Sequence, residues 1–131
     1  MPCEVLTDLY FTLVHPYFKY CNVIWAVNRT VSLESLFRMQ KRAIRVVSNS
    51  KWNSHSSPLV IKMNVLTLYH VIQFQTCCFM HKIHNHILPI NFQSLFNINY
   101  CIHDHNTRRI DNFHVISHRT NVREYSIKYM V

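Results

Sequence analysis

There is no glycine in this chain of 131 residues, where average usage of about 7% would supply roughly nine. Glycine is the residue that reaches positive φ without steric cost. A Walker A loop, a dinucleotide fingerprint and a serine nucleophile elbow all require it, so enzymes built on those motifs are excluded. The same absence predicts a chain without turns that need positive φ. Acidic residues are nearly as scarce: Glu4, Asp8, Glu34, Asp104, Asp111 and Glu124 are the whole set, and no two are adjacent. Paired-carboxylate and two-metal chemistry needs clustered acids, so no catalytic residue is assigned. Residues 1–8 lack the basic start and apolar run of a signal peptide. Every apolar stretch is broken by His, Lys, Gln or Asn before the ~18 residues that would span a bilayer. The expected location is intracellular, nucleus or cytoplasm, with no membrane.

What the chain does hold is positive charge and apolar bulk. Fourteen Lys and Arg against six Asp and Glu give a formal charge of +8, with a pI near 9.5. A polyanionic partner follows as the first expectation. Hydrophobic residues make up 49% and charged residues 15%, enough for a core and too little charge for a disordered chain. The five cysteines, Cys3, Cys21, Cys77, Cys78 and Cys101, are odd in number and lie mostly in apolar-periodic stretches, which argues against a disulfide framework.

Apolar Val5, Leu6, Leu9, Tyr10 and Leu13 recur at helical spacing up to Pro16, where a helix must stop or kink, and a second run covers residues 17–27. Thr30 or Ser32 can cap a helix over Val31–Val47. On that helix Leu33, Leu36, Phe37, Gln40, Ala43, Ile44 and Val47 share one face, while Arg38, Lys41, Arg42 and Arg45 cluster on the other. Residues 48–57 read as a polar loop holding Trp52, and Ser57-Pro58 as a cap with proline at the first helical position, opening a short helix that Asn64 ends. Thr67 caps a long helix to about Ile87 with a core face of Leu68, Val71, Ile72, Cys78, Phe79 and Ile83, and Pro89 terminates it. Beyond a short apolar turn at 92–96 the chain is polar to Asn112. Alternation at Phe113-Val115 and Tyr125-Ile127-Tyr129 permits short strands. The fold class expected is mainly α, a small helical bundle over residues 1–90, with a loop-rich, weakly stranded tail over 91–131.

Two clusters invite metal chemistry. Cys77, His81 and His84 stand at i, i+4 and i+7 with His70 on the same side, and His103 and His105 flank Asp104. With no CxxC pair and no specified fourth ligand, both read as solvated polar surface, and no cofactor or metal is assigned. Cys77 and Cys78 read as inert core thiols rather than nucleophiles. The basic face of the 31–47 helix is the strongest signal, since its cations fall within two helical turns, near the reach of consecutive backbone phosphates. The same pattern also suits a helical interaction domain meeting an acidic partner.

The order of residues adds to this. Leu9-Tyr10, His15-Pro16, Tyr20-Cys21, Ile24-Trp25 and Leu36, followed by Gln40-Lys41-Arg42-Ala43-Ile44-Arg45, resemble the segment after the polymerase core in reverse transcriptases of LINE-like and jockey-like non-LTR retrotransposons. The likeness continues through Lys51-Trp52, His55, Pro58-Leu59, Leu66, residues 79–89, Thr107-Arg108, Arg119-Thr120 and Tyr125-Ser126-Ile127. Met39 stands where the family has leucine, and Ala26 where it often has glycine. The family's paired metal-binding aspartates have no counterpart here, and neither does its C-terminal tryptophan block. The resemblance therefore implies a non-catalytic, thumb-like fragment of an RNA-directed DNA polymerase. By that resemblance Gln40, Lys41, Arg42 and Arg45 contact the primer-template backbone weakly and without sequence preference, with Arg38 added by the helical wheel. The remainder of the polymerase would be a further partner. Losing the palm would leave an apolar surface exposed on the first helix.

Overall fold

The computed structural model describes residues 2–26, 31–105 and 107–114, apart from the side chains of Val31 and Ser32. It is mainly α-helical, and among the described residues an isolated bridge is the one β feature. The chain divides into two compact units, Met1–Gln75 and Thr76–Val131. The division falls inside the helix Leu68–His84, whose second half packs with the residues that follow it.

In the first unit α1 (Cys3–Leu9) runs through a π-helical turn (Tyr10–Val14) into α2 (His15–Lys19). Pro16 neither stops nor breaks this run. Proline has no N–H to donate, and the wider turn absorbs the deficit, with the His15 N–H reaching the Tyr10 carbonyl. Then come α3 (Asn22–Trp25), α4 (Val31–Val47) and α5 (Ser56–Lys62). The cap expected at Thr30 or Ser32 lies outside the described side chains. Helix α5 begins earlier than the sequence suggests: its N-cap is His55, so Pro58 is its third residue, still within the first turn where a missing N–H is harmless.

The long helix α6 (Leu68–His84) is capped by Thr67, whose Oγ1 accepts from the His70 N–H at 3.5 Å. It ends three residues short of Ile87. Without glycine the helix ends still turn left-handed: Asn49, Asn64 and His86 have φ of 49°, 53° and 54°, correcting the expectation of no positive φ. Each sits two residues past its helix, and the next N–H closes back on the helix: Ser50 to the Arg45 carbonyl, Val65 to Val60 and Ile87 to Lys82. This is the Schellman closure, and asparagine tolerates αL better than other non-glycine residues.

Two apolar clusters hold the first unit. Phe18, Ala26, Leu33, Leu68 and Ile72 form one, and Tyr10, Ile44, Val47 and Val65 the other. In the second unit Phe79 meets Phe92 and Phe96 edge-on, Phe96 meets Phe113 in the same way, and Ile83 and Phe96 are buried. There α7 (Ile90–Gln93) is followed by an antiparallel pairing, in which the Asn99 N–H reaches the Asn112 carbonyl, the His114 N–H reaches the Asn97 carbonyl, and Ile98 bridges Phe113. Of the short strands that the alternation permits at 113–115, Phe113 carries that bridge, while residue 115 and the alternation at 125–129 lie outside the described residues.

Candidate nucleic-acid interface

The cations of interest all stand on α4, whose inner face is fixed by Leu33, Ile44 and Val47 in the core. Burying that face turns Arg38, Lys41, Arg42 and Arg45 outward within an arc of about 100°, along roughly 10 Å of helix. Their surroundings differ. Arg38 is exposed and pairs with Glu34 at 3.1 Å, one turn back. Lys41 is half-buried, its ammonium 4.0 Å from the centre of the Phe37 ring, and Phe37 in turn meets Tyr69 edge-on. Such a contact fixes where the charge sits without neutralising it. Arg42 is exposed. Arg45 is half-buried, and its Nε donates to the Ser54 carbonyl at 2.8 Å.

Gln40 does not belong with them. Only 1% of it is exposed, and its amide is engaged at both ends: Nε2 donates to the Tyr10 hydroxyl and to the Leu66 carbonyl, and Oε1 accepts from the Leu68 N–H at 2.7 Å. The assignment of Gln40 to the backbone-contacting group is therefore corrected. It bridges α4 to the start of α6 and to the π-turn, and no phosphate can reach it. Burial pushes the Tyr10 hydroxyl pKa up, and the hydrogen bond from Gln40 offsets part of that shift.

The loop beyond α4, legible as a loop in the sequence, also borders the cations, which the sequence does not reveal. Ser50, Trp52 and Asn53 line an open depression of about 570 Å³ together with Arg42, Arg45 and Val46. The loop is folded back by its own hydrogen bonds, from the Ser50 N–H to the Arg45 carbonyl and from the Ser54 N–H to the Lys51 carbonyl, besides the Arg45–Ser54 bond. Trp52 is 86% exposed at its rim. The signal available in the sequence was a lone tryptophan in a serine- and asparagine-rich loop directly after a basic helix.

Among the described residues no group of three His, Cys, Asp or Glu stands close enough to hold a metal. His70, Cys77, His81 and His84 are exposed on α6. Among the same residues no helix is long and apolar enough to cross a membrane. No protein-family model, no curated protein and no solved structure matches the chain.

Proposed function

We propose that the chain is a non-catalytic, thumb-like segment of a non-LTR retrotransposon reverse transcriptase, and that the outer face of α4 contacts the sugar-phosphate backbone of nucleic acid. The observation that carries the nucleic-acid reading is the one-sided array of Arg38, Lys41, Arg42 and Arg45 on a helix whose other side is buried. The polymerase origin rests on the residue order alone. Phosphate contacts carry no sequence information, so binding is expected to be weak and indifferent to sequence.

The test is the salt dependence of duplex binding. Each phosphate contact contributes about 0.9 to the slope of log K against log salt. Replacing Lys41, Arg42 and Arg45 together with glutamine keeps helix propensity nearly constant, so the fold survives, and the slope flattens by roughly two to three units. An unaltered slope in a variant that keeps its helix content overturns the reading. Equal binding to an acidic polypeptide, with the same dependence on these residues, instead favours an interaction domain for an acidic protein. Template-dependent nucleotide incorporation by the purified chain would contradict the non-catalytic assignment.

A further inference from the structure

We infer that the depression between the end of α4 and the 48–57 loop is a binding site for one unpaired nucleotide, so that the chain binds single-stranded nucleic acid through a stacked base as well as through phosphates. The inference rests on the reading of the α4 cations as phosphate contacts and adds a base-recognising partner for them.

Four observations converge on this site. A tryptophan with 86% of its surface in water is an expensive side chain to leave bare, and the indole face is the strongest stacking platform a protein has for a nucleobase. Trp52 is not on a slack segment: Arg45 holds the loop at both its near and far ends, through its carbonyl to the Ser50 N–H at 3.0 Å and through its Nε to the Ser54 carbonyl at 2.8 Å. The Nε bond uses one of the five guanidinium N–H donors. The two arginines lining the depression with Trp52 supply the charge that a nucleotide's phosphate needs, and Ser50 and Asn53 line it as well. The volume, about 570 Å³, falls in the range of ~300–1,000 Å³ typical of small-ligand pockets.

Two other features among the described residues carry less. The histidines of α6 are exposed and bring no ligand set together. The bare apolar stripe on α1–α3 shows no chemistry that selects an occupant.

A base in a duplex cannot stack on an indole without leaving its helix. The site therefore distinguishes strands from duplexes, which the α4 cations by themselves do not. The full chain is titrated with single-stranded oligo(dT) and oligo(rU) of about ten nucleotides, within the usual range of single-strand sites, and with a blunt DNA duplex of matched phosphate number. Indole fluorescence and oligonucleotide anisotropy are read together.

Both strands, or the one the site accepts, are expected to quench the fluorescence. Trp52→Ala is expected to abolish that quench and weaken strand binding by about 5- to 150-fold, with duplex affinity and its salt slope unchanged. Trp52→Phe should recover part of the loss, because a phenyl ring still stacks. Trp52 is too exposed for its removal to unfold the chain, and helix content by circular dichroism checks this.

Strand binding that is indifferent to Trp52, or a loss equal for strand and duplex, overturns the nucleotide site while leaving the backbone reading in place. If neither strand nor duplex binds, both readings fall. A quench by an acidic polypeptide as strong as that by the oligonucleotides assigns the depression to a protein partner instead.

Discussion

Helices α1–α3 and α4 pack against the same interior and present opposite chemistry to the outside. Tyr10 from the first run and Ile44 from α4 lie together in one cluster. On the outward side of α4 stand arginines, whereas the first run exposes Val5, Leu9, Leu13, Tyr17, Tyr20 and Ile24, with Leu13 at 61% and Tyr17 at 79%. Both segments show apolar residues at helical spacing. In α4 the opposite face is charged, so the period alone identifies the buried side. In α1 apolar residues occupy both sides, so the period identifies the helix and leaves the buried side open. Contiguous exposed apolar surface of this kind is where proteins associate, and a cationic face is where polyanions bind. The two surfaces of the first unit thus suit different partners.

The largest expected effect separates the two sides of that contrast. Ile44→Ala removes a fully buried side chain and should cost about 2–5 kcal/mol. Leu13→Ala, an equally drastic truncation on the outer side of the first run, should stay within about 0.5 kcal/mol. Urea unfolding of both variants reads the difference directly, and equal losses would mean that the stripe is covered in solution.

Next in size is Gln40, the polar group inside the contrast. Gln40→Leu keeps the bulk but strips a donor from the Tyr10 hydroxyl and the Leu66 carbonyl and an acceptor from the Leu68 N–H. Leaving such groups unpaired should cost about 1–3 kcal/mol, while the salt slope of duplex binding stays as it was. A flatter slope at constant stability would return Gln40 to the interface.

Gln40 also marks where sequence reasoning reached its limit. The helical wheel placed it on the packing face, and the family resemblance placed it in the contacting group. Only its three hydrogen bonds decide between them. The bounds of α4, its four outward cations and the stop at Asn64 were legible, because charge and apolarity alternate cleanly there and asparagine accepts the αL geometry. The Trp52 depression was not, because it arises from a loop folding back onto Arg45, and no periodicity encodes that. The π-turn at Pro16 was hidden for a similar reason: proline signals an interruption, while the manner of absorbing it depends on what the turn packs against.

A smaller effect should appear in acid. His15 is buried at the end of the π-turn, and its Nδ1 has no hydrogen-bond partner among the described residues. Desolvation, with the nearby Lys19 charge adding to it, pulls its pKa below the usual 6.5. The unfolded chain then binds a proton that the folded chain resists, so stability is fully present above about pH 6.5 and is lost as pH falls through the folded pKa. Chemical denaturation at stepped pH should show this decline between pH 6.5 and the lower folded value, and His15→Leu should flatten it. An identical acid limb in that variant would place the titrating group elsewhere.

The smallest effect tests the edge of the cationic face. Arg38 has an acidic partner there, Glu34 at 3.1 Å, and both side chains are mostly in water. An exposed i,i+4 pair of this kind stabilises a helix by only about 0.3–0.5 kcal/mol, so Glu34→Gln should barely move the unfolding midpoint. Its consequence for binding is different in kind. The carboxylate lies within one turn of the phosphate-facing arc, where it both repels the backbone and occupies the Arg38 guanidinium. Removing its charge frees Arg38 for a further phosphate contact, which should raise duplex affinity at low salt and steepen the salt slope by up to about 0.9. If affinity rises without a change of slope, the carboxylate acts only by repulsion and Arg38 lies beyond the contact. If neither moves, Arg38 lies outside the interface, and the face that meets the duplex is the shorter one formed by Lys41, Arg42 and Arg45.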